Sequence, residues 1–134
     1  MAEITVKHSG PGHYQHEIVI GRHHLVADEP ESAGGNDAGP EPFDFVQAGL
    51  GACTAITLQM YAERKGMRVT RINVELTHGK VSLNGERLDR IERRITLEGD
   101  LTGDERQRLL EIANRCPVHR ALQTPLMIDT WLTE

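Results

Sequence analysis

The chain has 134 residues and a mass of 14.9 kDa, a length that suits one domain built around one core. Its 15 Lys and Arg against 20 Asp and Glu give a net charge of -5, which excludes a strongly basic surface for nucleic acid. The N-terminus lacks the basic and apolar regions of a secretory signal. We therefore expect a single cytoplasmic domain over residues 1–134 that binds neither nucleic acid nor a membrane.

The first third of the chain predicts a small sheet followed by a loop. Short β-prone runs at residues 3–8, 14–20 and 22–27 are separated by Gly and Pro, which predicts three antiparallel strands. Residues 28–42 contain most of the strong breakers and several acidic residues, which predicts a surface loop. Its glycines do not form a phosphate-binding loop, because no Lys followed by Ser or Thr comes after the last of them.

The segment from Pro42 to Lys65 predicts one long helix. Pro42 suits the first helical turn, Asp44 complements the positive end of the helix, and Gly66 is a typical stop. No residue from Phe45 to Ala62 is charged, although the polar side chains among them argue against a membrane span. Such a helix is expected to be buried on all sides, which in so small a domain requires a second subunit.

Small residues in the middle of this helix support the same expectation. They lower helix propensity, and close approach of another backbone would compensate for that loss. The residues are Ala48, Gly49, Gly51 and Ala52. We therefore expect an obligate dimer.

The second half of the chain predicts a long hairpin. Ile72, Val74 and Leu76 alternate with polar residues, and Asn84-Gly85 is a strong turn signal before the return strand. The charged residues 87–94 mix both signs, and we interpret them as a solvated outer face rather than a binding patch.

Two further helical segments and a last strand are expected. Thr102 and Glu105 form a capping box that begins a second helix, and Pro117 ends or restarts it. Residues 117–123 are expected to form another short helical turn, and residues 126–132 to close the sheet as a strand. This order of elements, without regular βαβ alternation, predicts an α+β fold.

Cys53 and Cys116 are the main candidates for chemistry. Both lie on apolar helix faces, so each taken singly could be a small core residue. If the two helices cross at the glycine-rich stretch, however, the sulfurs could meet at disulfide distance. That geometry would form a pair in which one thiol attacks a peroxide and the other resolves the product.

Helix position alone favours Cys116 as the attacking thiol. A thiolate is stabilised at a helix N-terminus or beside a cation, and Cys116 could cap the turn that begins at Pro117. His119, three residues later, would share a helical face with Cys116 and supply a cation when protonated. Cys53 is about three turns inside its helix, too deep for the helix dipole to act on it.

Two segments together resemble the OsmC/Ohr family of thiol-dependent hydroperoxide reductases. They are Gly39 to Thr54, a proline-led entry into an Ala/Gly-rich helix that carries Cys53, and Arg115 to Arg120, which contains Cys116-Pro117. The resemblance covers nearly the whole chain. It implies an OsmC-like fold, with antiparallel sheets wrapped around a long central helix in an intertwined homodimer.

The resemblance also implies a reaction. In the family, the thiol that matches Cys53 attacks an organic hydroperoxide, the one that matches Cys116 resolves it to a disulfide, and a dithiol of the lipoyl or thioredoxin type resets the enzyme. This cycle needs neither a metal nor an organic cofactor. An aliphatic pocket at the dimer interface would favour alkyl or lipid hydroperoxides.

The sequence departs from the family at the residues that lower the thiol pKa. Well-characterised members place a Glu ten residues before the first cysteine, paired with an Arg from the N-terminal half, whereas this chain has Phe43. Asp44 is the adjacent carboxylate, turned by about 100° along the helix. Arg22 is the only arginine before Cys53. Asp44 and Arg22 are the available candidates for the missing pair, although the turn of Asp44 prevents a simple substitution and Arg22 also fits a solvated strand residue.

Three classes of function stay open. The first is the two-cysteine hydroperoxide reductase, which the presence of both cysteines favours. The second is an OsmC-like protein without peroxidase activity that binds a small hydrophobic ligand at the dimer interface, which the missing Glu favours. The third is a metal-binding protein, since the chain has seven histidines, although their spacing matches no common metal motif.

Overall fold

The computed structural model of the chain describes residues 3–133. The fold is α+β, as predicted, with two antiparallel sheets and three α-helices in the described part. The chain divides into two compact units, Met1–Val46 and Gln47–Glu134.

The N-terminal unit contains the three predicted strands. They are β1 (Ile4–His8), β2 (His16–Ile20) and β3 (His23–Ala27), paired antiparallel in the order β1-β2-β3. The tight turn between β2 and β3 begins at Gly21, whose φ of 58° lies in the left-handed region.

The acidic loop that follows β3 folds around one buried carboxylate. Asp28 is 2% exposed and accepts backbone N–H groups from Glu29, Asn36 and Ala38 at 2.7, 3.2 and 3.0 Å. The N–H of Ala38, with those of the other two residues, lowers the pKa of the Asp28 carboxyl. A Cβ at Gly35 would overlap the backbone of Glu29. Gly35 therefore allows the close approach of the backbone at Glu29.

The long helix α1 (Pro42–Lys65) has the predicted bounds. At its start, the Asp44 carboxylate accepts the backbone N–H of Glu41 at 3.1 Å. At its end, Gly66 has a φ of 70° and lets the chain turn away. No helix in residues 3–133 combines the length and the apolar character that crossing a bilayer requires.

Within the single chain, α1 is covered on one side. The buried side consists of Leu50, Gly51, Thr54, Leu58, Tyr61 and Ala62. On the other side Ile56 is 53% exposed and Met60 is 61% exposed. Gly49 faces open space, whereas a Cβ at Gly51 would meet the side chain of Leu76. The close neighbour of Gly51 in this chain is thus a side chain rather than the backbone expected from the sequence.

The C-terminal unit contains the predicted hairpin. Strand β4 (Arg68–Leu83) pairs antiparallel with β5 (Glu86–Asp100), and the register shifts between Val69 and Arg71. Asn84 and Gly85 both have positive φ, 52° and 81°. Two successive positive φ values are typical of the type I′ turn, whose twist matches that of the strands.

Two helices complete this unit. Helix α2 (Gly103–Ala113) begins with the predicted capping box of Thr102 and Glu105, and α3 (Pro117–Gln123) follows the Pro117 restart. The core cluster is formed by apolar side chains of α1 and α2, with hairpin side chains packed against it. Its buried members are Leu58, Tyr61, Ala62, Leu109, Ile112 and Ala113.

The predicted strand at residues 126–132 is absent. This segment belongs to no helix or strand, and within residues 3–133 it pairs with no other strand. A strand needs a neighbouring backbone to satisfy its N–H and C=O groups, and this chain alone supplies none there. The apolar side chains that suggested a strand are all more than half exposed: Leu126, Met127, Ile128, Trp131 and Leu132.

Substitution of two adjacent leucines of α2 tests which face of this helix belongs to the core. Leu109 is fully buried, whereas Leu110 is 53% exposed. We expect Leu109→Ala to lower the free energy of unfolding by about 2–5 kcal/mol, since it leaves a cavity in the core. Leu110→Ala should cost less than about 1 kcal/mol. Urea unfolding measures both, and equal losses would contradict the assigned core.

Candidate functional site

Cys53 lies on α1, in the C-terminal unit. It is half-buried, and its Sγ lies 3.9 Å from Thr57 Oγ1, one helical turn later. The uncharged sequence around it leaves no charged side chain on the adjacent turns of the same helix. Any group that activates this thiol must therefore come from another segment.

Cys116 lies between α2 and α3, where the sequence predicted a joint. Its backbone is extended, with φ -64° and ψ 143°, as expected of a residue that precedes proline. Its sulfur accepts the backbone N–H of His119 at 3.4 Å and so caps α3. The side chain is fully buried.

Thr54 connects the two helical segments. Its buried hydroxyl donates to the carbonyl of Leu50 at 2.7 Å and lies 3.8 Å from Cys116 Sγ. Cys53 precedes Thr54 in the same helix, and its side chain is among the groups that lower the pKa of the Cys116 thiol. Both cysteines are free thiols. Thr54 thus brings the helix segment that carries Cys53 next to Cys116, whereas the approach of the two sulfurs to disulfide distance and their redox activity stay predictions.

Arg93 of β5 completes the cluster, and the sequence analysis missed it. Its guanidinium donates to Thr54 Oγ1 at 3.0 Å, to the Ala113 carbonyl at 3.4 Å and to Asn114 Oδ1 at 2.9 Å. The interpretation of residues 87–94 as a solvated outer face is therefore wrong for Arg93, which is half-buried.

The strand pattern contained the signal that would have identified Arg93. Alternate residues of a strand share one face. Arg93 alternates with Ile91 and Ile95, which are partly buried in β5, and it is the charged exception on their face. A charged residue on the apolar face of a strand has its side chain towards the protein interior. Such a residue is a candidate site residue.

The electrostatics of the cluster favour the Cys116 thiolate. Burial raises the pKa of the Cys116 thiol, but the His119 N–H, the side chains of Cys53 and Thr54 and the charge of Arg93 together bring it below its ordinary value. Among these groups, Arg93 carries the permanent charge.

His119 contacts Cys116 through its backbone rather than its ring. Burial, with the charge of Arg93, lowers the pKa of the His119 imidazole. The ring is therefore mostly neutral at pH 7, which weakens its predicted role as a cation beside the thiol. Its part in catalysis stays a prediction.

Asp44 and Arg22 lie in the N-terminal unit. Asp44 caps the start of α1, and Arg22 is exposed in the turn between β2 and β3. Within residues 3–133, Arg22 makes no side-chain hydrogen bond or ion pair. Neither catalytic assignment is tested by these contacts, and both stay predictions.

A cavity of about 480 Å³ lies close to Cys53 in the C-terminal unit. Thr57, the contact of Cys53, is part of its wall, and Met60 and Ile112 give it apolar surface. The remaining lining is polar or basic: Tyr61, Arg64, Lys65, Arg108 and Arg115. This lining is less aliphatic than the pocket expected from the sequence.

A second cavity, of about 570 Å³, lies in the N-terminal unit. Val6, Ala27 and Pro42 form part of its wall, with Tyr14 and His16. For metals, no group of three or more His, Cys, Asp or Glu side chains in residues 3–133 is placed to hold an ion.

Comparison with known proteins gives one family match and a common fold. The family model described as OsmC-like protein matches residues 34–130. A search of curated proteins found no match to this chain.

Three solved structures illustrate the structural similarity. An OsmC-like protein from Mycoplasma pneumoniae has a TM-score of 0.76 at 19% identity, covering 92% of this chain and 87% of that one. An organic hydroperoxide resistance protein from Elizabethkingia anophelis has a TM-score of 0.70 at 23% identity, with coverages of 92% and 88%. The organic hydroperoxide resistance protein OhrB of Bacillus subtilis has a TM-score of 0.63 at 20% identity, with coverages of 92% and 90%. At these identities the similarity establishes the fold.

Proposed function

The chain belongs to the OsmC-like family, and on that premise we propose that it reduces organic hydroperoxides through a reversible two-cysteine cycle. The observation that carries the proposal is the contact of Thr54, the residue after Cys53, with Cys116 of a distant segment, where both cysteines are free thiols. The organic hydroperoxide resistance proteins among the solved structures with this fold make the same substrate class the first to test.

Accessibility supports Cys53 as the thiol that attacks the peroxide. Cys53 is half-buried, whereas Cys116 is fully buried, so a peroxide reaches Cys53 first. The resemblance assigned the same roles, in conflict with the helix-terminus argument for Cys116. A low thiol pKa favours reaction only when the oxidant can approach the sulfur.

The cycle then follows from the chemistry of the two thiols. The Cys53 thiolate attacks the distal peroxide oxygen, the O–O bond breaks, and the alkoxide leaves and takes up a proton to form the alcohol. Cys53 becomes a sulfenic acid. The Cys116 thiolate attacks that sulfur, hydroxide leaves, and the Cys53–Cys116 disulfide forms. A dithiol, of the lipoyl or thioredoxin type, returns the protein to its reduced state.

The cavity beside Thr57 is the proposed substrate pocket. Met60 and Ile112 offer apolar surface to an alkyl group, which hydrogen peroxide lacks. No cofactor or metal takes part in these steps. The reducing conditions of the cytoplasm, where dithiol reductants are available, suit the cycle.

We also infer that the active form is a homodimer. Ile56 and Met60, on the uncovered side of α1, and Leu126 to Leu132 are strongly exposed in the single chain. Exposed apolar side chains of this kind are what a second subunit covers. Pairing of residues 126–132 with a strand of the partner would restore the strand that the sequence predicted.

The second candidate function is binding of a small hydrophobic ligand without peroxidase activity. The cavity of about 570 Å³ in the N-terminal unit favours it, since its size suits a small molecule. Phe43, which replaces the family's Glu, favours it as well.

Single cysteine variants separate the two functions. With tert-butyl hydroperoxide and a dithiol, we expect Cys53→Ser to consume peroxide at the uncatalysed rate. Cys116→Ser should lose at least about tenfold in turnover and accumulate sulfenic or sulfinic acid on Cys53. Peroxide assays and peptide mass spectrometry measure these outcomes.

The controls of this experiment identify each alternative. Arg94→Met, next to Arg93 but exposed, should keep the activity of the unmodified protein. Loss of the first step in Cys116→Ser, with Cys53→Ser still reactive, would reverse the two roles. No peroxide loss with the unmodified protein would favour ligand binding.

The proposed dimer depends on the uncovered side of α1. Because Ile56→Glu places a charge on that surface, we expect it to shift the protein to the monomer, whereas Glu63→Gln, on the same helix, should not. Light scattering coupled to size-exclusion chromatography measures the mass. A monomer from the unmodified sequence would refute the inference.

A further inference from the structure

The setting of Arg93 differs from that of a surface arginine. Its guanidinium is half-buried and donates to oxygens of α1 and of the C-terminal end of α2, namely Thr54, Ala113 and Asn114. All three acceptors are neutral. The hydrogen bonds fix the orientation of the planar group without compensating its charge.

Arg93 forms no ion pair with a carboxylate in the described part of the chain, whereas nearby Arg90 pairs with Glu92 at 2.8 Å. An uncompensated charge that is partly withdrawn from water favours the ionised form of an acidic group nearby. The acidic group within reach is the Cys116 thiol.

Thr54 holds the Arg93 guanidinium near Cys116. Arg93 Nη1 lies 3.0 Å from Thr54 Oγ1, which in turn lies 3.8 Å from Cys116 Sγ. Since the Thr54 hydroxyl proton points to the Leu50 carbonyl, the Arg93 N–H binds the oxygen and keeps its orientation fixed.

The groups that face Cys116 come from three elements. Cys53 and Thr54 belong to α1, Arg93 to β5, and the backbone N–H of His119 to α3. The last two stabilise an anion on the sulfur directly, one by charge and one by a hydrogen bond.

We propose that Arg93 is a positioning residue that holds Cys116 as a thiolate, so that Cys116 attacks oxidised Cys53 and later leaves as a stabilised anion when the disulfide is reduced. This inference rests on the proposed two-cysteine cycle. It assigns the site of reductant attack to Cys53.

The reductive step balances as follows. A thiolate of the dithiol reductant attacks Cys53 Sγ, the Cys53–Cys116 bond breaks, and its electron pair leaves with Cys116. The reductant is then joined to Cys53 by a mixed disulfide. Its second thiolate attacks the sulfur of its own first thiol, releases the Cys53 thiolate and leaves the reductant as a cyclic disulfide.

Accessibility and leaving-group chemistry favour this direction. The reductant reaches the half-buried Cys53 more easily than the fully buried Cys116. Exchange is also faster when the thiol that leaves has the lower pKa. Arg93 would thus act on both the formation and the reduction of the disulfide.

The direct test is a measurement of the Cys116 pKa in the Cys53→Ser variant, in which Cys116 is the remaining thiol. The ultraviolet absorbance of its thiolate is followed as the pH is changed. Arg93→Gln keeps hydrogen-bond donors and removes the charge, so we expect it to raise the Cys116 pKa by about one unit, a tenfold loss of thiolate at pH values well below that pKa. Arg93→Lys should stay close to the unmodified value. Arg94→Met is the matched control and should leave the pKa unchanged.

Each result of the titration decides the question. The inference would be overturned if the Cys116 pKa were the same with Gln, Lys or Arg at position 93. It would also be overturned if Arg93→Gln and Arg93→Lys raised the Cys116 pKa equally. An increase in Gln alone supports it. If Arg93→Gln fails to fold, the Cys116 pKa of Thr54→Val, which lacks the oxygen that holds Arg93 in place, should rise instead, and an unchanged value would overturn the inference.

Reduction kinetics give a readout that a purely structural role would not move. With both cysteines present and oxidised, Arg93→Gln should slow reduction by a small dithiol by roughly three- to tenfold, while Arg93→Lys stays near the unmodified rate. A labelled monothiol, quenched in acid, should be found on Cys53, and label on Cys116 would overturn the assignment.

The two proposals can fail separately. The thiol titration uses no peroxide, so a pKa that depends on Arg93 would stand even if the protein consumed no hydroperoxide. If the protein has peroxidase activity but substitution of Arg93 leaves the Cys116 pKa unchanged, the inference about Arg93 is wrong and the proposed function stands.

Discussion

The candidate site depends on the buried hydroxyl of Thr54. It is the point where α1, the hairpin and the α2–α3 joint meet, through contacts with Leu50, Cys116 and Arg93. A buried hydroxyl is costly unless its hydrogen bonds are satisfied, and here one proton and the oxygen both have partners. These requirements fix the positions of three chain segments that are far apart in the sequence.

The charge nearest to this hydroxyl comes from a segment other than the one that the family resemblance implies. The carboxylate expected ten residues before the first cysteine is replaced by Phe43. In its place, a charge from β5 lies beside the second cysteine rather than the first. The proposed cycle would use the two cysteines differently, since Cys53 is partly exposed whereas the pKa of the buried Cys116 thiol is lowered.

Helix ends could be predicted from residues close together in the sequence. Features that depend on contacts between distant segments could not. Pro42, Gly66 and the Thr102 capping box set the helix ends through backbone geometry, and Cys116 before Pro117 could be placed at a helix terminus for the same reason. The strand at 126–132 failed because a strand depends on a neighbour that periodicity does not identify. Arg93 was missed because its mixed-charge surroundings concealed the apolar alternation in which it lies.

The most direct test of this account is the covalent state of the two cysteines after oxidation. The reduced protein is treated with one equivalent of an alkyl hydroperoxide, its remaining thiols are alkylated, and the peptides are mapped by mass spectrometry. The account predicts loss of two hydrogen atoms, no alkylated cysteine and one peptide pair that joins Cys53 to Cys116. Recovery of Cys116 as a free thiol beside Cys53 sulfinic acid would contradict it, because the proposed cycle requires the disulfide to form before further oxidation.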